Sequence, residues 1–321
     1  MPETCVRVAA GILRDTNGRV LLSQRLPGRH LGGTWEFPGG KCEAGETPRA
    51  CLVRELHEEL GIEARSVRPW LTLTHHYPDR SVRLMLYEVP HWAGAPRGCE
   101  GQALRWRKPE DMTALAMPEA DRPIVRTLQC DGRYAITPPL MDGGDDRRLL
   151  AWTRARLDEG IGLLQLRAPA LDTVELERLA GAFNRLVRSH AGARWLLYGK
   201  PAQAEAFGAD GVHLSTACLR RVNSRVLPDD RLVTASCRDP GDLQRAGEVG
   251  ADFVTVPAVP PGKARSSSGS SGWRRLAWLC RHSMCPVYVL DAVTPAALRR
   301  ARRLGAFGVA GCFGLSPSEA S

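Results

Sequence analysis

Residues Gly40 to Ile62 read GKCEAGETPRACLVRELHEELGI, and helix geometry dictates how this stretch folds. Thr47 can cap a helix with its side chain, Pro48 suits the first helical position and Gly61 suits the stop. The spacing therefore predicts a helix over 48–60. At about 100° per residue, Glu55, Glu58 and Glu59 fall within an arc of roughly 100°. Leu52, Val53, Leu56 and Leu60 fill the neighbouring arc and are expected to face a core. One edge of the helix carries three carboxylates while another edge packs.

Three clustered carboxylates repel one another, and a plain surface helix gains nothing from them. A hard cation makes sense of the cluster, because Mg²⁺ prefers oxygen ligands and pairs readily with substrate phosphates. Arg54 stands four residues before Glu58 and beside Glu55, so it can hold the carboxylates in place and oppose their protonation. The preceding Phe37-Pro38-Gly39-Gly40 reads as a turn whose glycines let backbone approach a metal or phosphates closely.

Outward from this helix the pattern mixes strands and isolated helices. Residues 6–13 read as a strand, 15–18 as a turn and 19–24 as a returning strand. Further strand-like runs lie at 70–75, 83–89 and 103–106, and 121–128 is a last amphipathic helix. An α+β sandwich, a mixed sheet with helices, is expected over 1–130 rather than alternating βαβ. Beyond Asp131-Gly132 the rhythm changes. Short apolar runs recur at 134–136, 163–166, 195–198, 211–214, 232–236, 253–257, 287–290 and 308–311. Helical patterns such as 174–187 and 295–304 separate them. That alternation is what a small (β/α)₈ TIM barrel requires, here over 133–321, with the boundary near 129–133. The run R-S-S-S-G-S-S-G at 265–272 is expected to be a mobile barrel loop.

The chain has 321 residues, enough for two domains with separate cores. Its net charge of +9 raises the question of a nucleic-acid polymer as partner. Residues 1–130 carry 18 Lys+Arg against 16 Asp+Glu, and the excess further along is scattered arginine, which reads as a solvated surface. No nucleic-acid polymer is expected. The ten cysteines form no C-x-x-C pair and no zinc spacing, as in reduced thiols of a cytosolic protein. Met1-Pro2-Glu3-Thr4 lacks the basic-then-apolar pattern of a signal peptide, and no stretch has the length of a membrane span. A cytoplasmic protein without a membrane partner is expected; the oligomeric state is left open.

The quoted stretch resembles the Nudix box, whose positions are met by Gly40, Glu46, Arg54, Glu55, Leu56, Glu58, Glu59, Gly61 and Ile62. The resemblance extends to MutT-type members through Arg25 and His30, Trp35-Glu36-Phe37-Pro38-Gly39-Gly40, Tyr77-Pro78-Asp79-Arg80 and Glu100-Gly101-Gln102. It implies a Mg²⁺-dependent hydrolase, with Mn²⁺ as a substitute, that splits a nucleoside triphosphate into monophosphate and pyrophosphate. By this resemblance Gly39, Glu55, Glu58, Glu59 and Glu100 hold the metal, and Glu46, Arg54, Glu55, Glu58 and Glu100 form the catalytic set. Either Glu55 or Glu100 takes the proton from water. Arg25, His30, Phe37, Gly39, Gly40, Asp79 and Asp121 are expected to bind substrate, although Arg25 and His30 read equally well as a solvated loop.

Members that prefer 8-oxo-dGTP carry an asparagine where this chain has Asp121. An amide donates and accepts, whereas an ionised carboxylate only accepts. Either Asp121 is protonated in an apolar pocket or the base preference differs. 8-oxo-dGTP is the leading substrate; a damaged thiamine pyrophosphate or another small diphosphate is the alternative.

The second half resembles the thiamine phosphate synthase and TenI family. The matching pieces are Tyr134-Ala135-Ile136-Thr137, Leu164-Gln165-Leu166-Arg167, residues 209–214, 250–253 and 305–310. Three active-site positions depart from that family: Pro169 replaces a lysine, Tyr198-Gly199 replaces an Asn-Asp pair, and Asp291-Ala292 replaces a phosphate-cradling Gly-Gly. The TenI histidine corresponds to Ala258, while Arg167, His213 and Lys263 remain. His213 reads equally as a packed core residue. The barrel is expected to be degenerate for thiamine phosphate synthesis, and to serve as a ligand-binding, supporting or assembly module.

Overall fold

The computed structural model describes residues 5–139, 146–258, 270–290 and 293–314. Met1-Pro2-Glu3-Thr4, Lys263, residues 265–269 and Asp291-Ala292, all singled out above, lie outside the described residues. The chain divides into two compact units, one built on the residues before Cys130 and one largely on those from Cys130 onwards.

The first unit is a sandwich of two small sheets with a mixed sheet at its centre. Strands β1 (Cys5–Ile12), β4 (Gly39–Lys41), β5 (Glu63–His76) and β6 (Ser81–Ala93) form one sheet in the order β4-β1-β6-β5. β1 runs parallel to β6 and antiparallel to β4. The second sheet, β3-β2-β7, joins β3 (Trp35–Glu36), β2 (Val20–Gln24) and β7 (Leu104–Arg107), all antiparallel. Helix α1 (Pro48–Leu60) and the short α2 (Arg122–Leu128) complete the unit.

Helix α1 forms where its caps place it. The Thr47 hydroxyl accepts the Ala50 N–H at 3.2 Å, and Gly61 closes the helix in the left-handed region at φ 65°. Cys51, Leu52, Leu56 and Leu60 are buried completely and pack against Ala9, Leu13, Leu21, Ile62 and Val89. Val53, expected in the core, is only half-buried, because the arc left by three leucines and Cys51 already fills the interface.

Three local expectations need correction. The expected turn over 37–40 continues at Gly39 into β4, whose Gly39 and Gly40 pair with Ala10 and Ala9. β1 and β2 are not partners in one sheet. The Asp15 carboxylate accepts the N–H groups of Asn17 and Arg19 at 2.9 and 2.8 Å, which fixes the turn, and past a single Arg14–Val20 bridge the chain enters the second sheet. Finally, β5 begins at Glu63, well before the apolar run, because backbone pairing with β6 carries polar residues 63–68 through several register shifts.

The second unit is a closed barrel of eight parallel strands, β8 (Arg133–Ile136), β9 (Leu163–Leu166), β10 (Arg194–Tyr198), β11 (Gly211–Leu214), β12 (Leu232–Ser236), β13 (Phe253–Pro257), β14 (Val287–Leu290) and β15 (Gly308–Gly311). Parallel strands covered by helices are apolar on both faces, as in β9, where every residue is buried. Tyr134, Phe253 and Tyr288 fill the interior, with ring centroids 5.4 and 5.6 Å apart. The tail of the serine-rich run, expected to be loop, starts the helix Ser270–His282. No described helix is long and apolar enough to cross a membrane.

Since Leu56 is fully buried at the centre of the first core, Leu56→Ala should destabilise that unit by about 2–5 kcal/mol. The urea midpoint of its unfolding transition reads this; a loss under about 1 kcal/mol would place the core elsewhere.

Candidate active site

With its leucines turned inward, α1 presents Arg54, Glu55, Glu58 and Glu59 on the opposite edge. The Arg54 guanidinium is the hub. Its Nε and Nη2 donate to the two oxygens of Glu46, each at 3.1 Å, a bidentate grip. Its Nη1 donates to Glu58 at 2.9 Å and lies 3.0 Å from Glu55 Oε1. Nη2 also reaches the Lys41 carbonyl at 3.3 Å. Glu46 accepts a further bond from the Glu43 N–H at 3.0 Å. The Arg54 hydrogen bonds hold the Glu46 carboxyl below its usual range, and Glu46 above all raises the pKa of Arg54 in return.

Arg54 does not reach every carboxylate. Burial pushes the Glu55 carboxyl up, against the pull of Arg54. Glu59 is pushed up to about 7 by burial, and the charges of Glu36, Glu55 and Glu100 add to the effect while the Gly39 N–H opposes it. That N–H donates to Glu59 at 3.3 Å. Gly39 of β4 is required here, and Gly40 leaves the Glu55 carboxylate its place. A Cβ on Gly39, which sits at φ +143°, would lie 2.2 Å from the Ala9 carbonyl oxygen; one on Gly40 would lie 2.3 Å from the Glu55 carboxyl carbon.

Glu100 approaches from the loop after β6. That loop is stapled to the last turn of α1: the Cys99 N–H and the Gln102 side-chain amide both donate to the Glu59 carbonyl at 2.9 Å, and the Glu100 N–H donates to Gln102 Oε1 at 2.9 Å. The Glu100 carboxylate is turned toward Arg29, 3.2 Å away.

As placed, no three acidic, His or Cys side chains among the described residues converge on one metal position. Each carboxylate faces a partner instead: Glu55 and Glu58 face Arg54, Glu59 faces the Gly39 N–H, and Glu100 faces Arg29. The donor chemistry nevertheless fits a hard divalent ion. The candidate donor atoms are all oxygens on one helix edge and the facing loop, and Glu59 has no cationic partner among the described residues.

A second cluster lies on the loop and strand before the helix. Arg25 donates to Glu36 and, through Nε, to the His30 carbonyl at 2.8 Å. It is therefore bound into structure, not loose in a solvated loop. The His30 ring meets Tyr77 edge-on at 6.2 Å, and Tyr77 meets His75 at 4.5 Å. Asp121 is 7% exposed, and its carboxyl has no hydrogen-bond partner among the described residues. Burial pushes its pKa well up, the Glu36 charge adds to this, and Arg25 offsets only part.

Two expected substrate residues are placed elsewhere. Phe37 is 3% exposed, with its ring packed in the core. Asp79 sits at the exposed tip of the β5–β6 turn, where its carboxylate pairs with Arg80 at 2.9 Å. Sequence reasoning assigned no role to Glu36 or Arg29. A charge set between Trp35 and Phe37 was a usable signal for Glu36; nothing in the sequence marked Arg29.

In the barrel, His213 is 2% exposed and hydrogen-bonds Thr234 and Ser236 through its two nitrogens, each at 2.8 Å. Burial, with the nearby Arg167 charge, pushes its pKa down to about 3. The Tyr198 ring stacks on it at 5.9 Å, and the Arg167 guanidinium lies 5.4 Å from the Tyr198 ring centre. His213 is thus a neutral histidine satisfied by hydroxyls.

Among known proteins, a family model described as NUDIX domain matches residues 9–127, and one described as thiamine monophosphate synthase matches residues 133–315. An 8-oxo-dGTP diphosphatase of Escherichia coli is 36% identical over 124 residues, which are 39% of this chain and 96% of that protein. A CTP pyrophosphohydrolase of the same bacterium is 41% identical over 121 residues, 38% of this chain and 88% of that protein. A putative thiamine-phosphate synthase of Geobacter sulfurreducens is 35% identical over 179 residues, 55% of this chain and 83% of that protein.

Glu59 makes stability depend on pH in a defined direction. Its folded pKa lies above the usual value of 4.5, so the fold binds the proton more tightly than the unfolded chain does. That contribution is complete below about pH 4.5 and is lost as pH rises through about 7. Metal-free protein should lose stability across this window, and Glu59→Gln should flatten the loss. An unchanged slope in thermal melts of the variant would contradict this electrostatic picture.

Proposed function

The chain belongs to the Nudix family through its N-terminal unit and to the thiamine monophosphate synthase family through its barrel, and on that footing we propose that it is a Mg²⁺-dependent nucleoside triphosphate pyrophosphohydrolase acting first on 8-oxo-dGTP. The supporting observation is the acidic edge of α1: Arg54 engages Glu46, Glu55 and Glu58, Glu59 has no cationic partner among the described residues, and Glu100 on the facing loop is held by an exposed pair with Arg29. The matched ranges support domains over 1–130 and 133–321.

Glu55, Glu58, Glu59 and Glu100, with the Gly39 carbonyl, would hold Mg²⁺ or Mn²⁺. Once bound, the metal neutralises the polyphosphate and polarises the attacking water. Arg54 keeps Glu55 and Glu58 extended along the phosphate path and fixes Glu46 at its other end. Glu55, whose carboxyl is raised by burial, is suited to take the proton from water; Glu100 on the facing loop is the alternative base. The products are a nucleoside monophosphate and pyrophosphate.

Asp121 carries the base preference. Burial favours the neutral form of the Asp121 carboxyl, and a neutral carboxyl donates one hydrogen bond and accepts another, as an asparagine amide does. The substitution therefore keeps purine reading within reach. For the barrel, the supporting observation is Tyr198, whose ring stacks on His213 beside Arg167 where the family has an asparagine. We read the barrel as not making thiamine phosphate. Full-length protein given that family's two substrates should form none.

Glu55→Gln and Glu58→Gln should each lower kcat on 8-oxo-dGTP by about 10²–10⁴-fold with Mg²⁺ present; unchanged turnover in both would remove the proposal. Asp121→Ala should raise KM by about 10-fold or more, the cost of a lost buried hydrogen bond, whereas Asp121→Asn should bind as wild type does. As pH rises, Asp121 ionises and wild-type KM should climb, while the asparagine variant stays level. Parallel pH profiles for the two proteins would show that Asp121 does not read the base.

A further inference from the structure

The loop between β2 and β3 holds a cation that the reaction scheme above does not use. Its base is closed by the Arg25 N–H on the Thr34 carbonyl and the Gly33 N–H on the Arg25 carbonyl, both at 2.9 Å. Within it, the Arg29 N–H reaches the Leu26 carbonyl at 3.3 Å and the Gly32 N–H reaches the Arg29 carbonyl at 2.9 Å. Leu31, next to His30, has φ 58° and is the one non-glycine residue with positive φ among the described residues. Such a conformation is costly for a leucine and is kept only where the surroundings enforce it. The loop is thus a defined scaffold that presents Arg29 outward.

The Arg29 guanidinium lies 3.2 Å from Glu100 across 71 positions of sequence. Its charge also acts on Glu36, beside Arg25. Arg29 therefore links Glu36, on the strand that follows the loop, with Glu100 on the loop after β6. Glu100 itself is held against α1 by the backbone contacts of Cys99 and Gln102 with Glu59, so only its side chain needs to turn to reach a metal.

We propose that Arg29 is a positioning residue that holds the Glu100 carboxylate away from the metal site in the nucleotide-free protein and transfers to the substrate polyphosphate when nucleotide and metal bind. The proposal rests on the hydrolase reading of the same site. The pair is exposed, with side chains 61% and 41% accessible, and exposed ion pairs are weak enough for a divalent cation or a phosphate to displace. Ligation of a metal consumes the negative charge of Glu100. The guanidinium then lacks its partner, and the incoming polyphosphate supplies a stronger one at short range.

Titration of the full-length protein with Mn²⁺ alone, followed by the electron paramagnetic resonance signal of the free ion, tests the first step. Arg29→Ala should bind Mn²⁺ about two- to fivefold more tightly than wild type, the range of an exposed pair. Glu100→Gln should bind more weakly, and adding Arg29→Ala to it should change nothing further. Steady-state turnover of 8-oxo-dGTP tests the second step: Arg29→Ala should raise KM severalfold with little change in kcat, and Arg29→Lys should recover part of it. Wild-type Mn²⁺ affinity in Arg29→Ala, or an equal shift in the Glu100→Gln background, overturns the first step; an unchanged KM overturns the second. Loss of the hydrolase reading itself would show separately, as turnover indifferent to Glu55→Gln, and the Mn²⁺ titration would still decide whether Arg29 restrains Glu100.

Discussion

The N-terminal unit depends on one constraint: three glutamates on a single edge of α1 cannot coexist without positive charge. Arg54 supplies part of it from the same helix and adds Glu46 from the preceding loop, so one guanidinium orders three carboxylates at 2.9–3.1 Å. Glu59 is left uncompensated, and its carboxyl is raised to about 7 by burial first and by its acidic neighbours second. Uncompensated negative charge of this kind is what a divalent cation can offset.

The rest of the unit holds that edge still. The leucines of α1 anchor one side in a closed core, and β4 brings bare backbone against the other. Gly39 is there because any side chain would collide with Ala9, and Gly40 leaves the Glu55 carboxylate its place. The loop bearing Glu100 is tied to the carbonyl of Glu59, so the two acids that Arg54 does not reach share one backbone anchor. Placement on a helix and a short strand fixes the backbone positions from which the α1 carboxylates project.

Much of this was legible in the sequence, for physical reasons that differ from element to element. The limits of α1 could be read because Thr47, Pro48 and Gly61 each have a specific stereochemical use at a helix end. Barrel strands such as Val287–Leu290 stood out because parallel strands are buried on both faces and leave unbroken apolar runs. Gly39–Lys41 was hidden: three residues with two glycines carry no strand periodicity, and only pairing with β1 makes them a strand. The first part of β5 was hidden because Ala64 and Val67, the residues it turns to the core, are spaced out of strand alternation where the pairing with β6 shifts register. The carboxylate edge was visible from helical spacing alone. The Arg29–Glu100 pair and the Arg25–Glu36 contact were not, because they join loops that only tertiary structure brings together, and a chain pattern carries no record of that approach.

The barrel shows why fold and activity must be argued separately. Its strands and family membership are plain, yet Pro169 and Tyr198 stand at positions where charged and amide groups are expected, and His213 is sealed in a neutral hydroxyl network. The proposed hydrolase chemistry lies in the N-terminal unit, and its most direct test is ³¹P nuclear magnetic resonance of full-length protein with 8-oxo-dGTP and Mg²⁺. Inorganic pyrophosphate and the nucleoside monophosphate should appear in equal amounts, with no orthophosphate. Orthophosphate with a nucleoside diphosphate, or an unchanged triphosphate spectrum, would contradict the account.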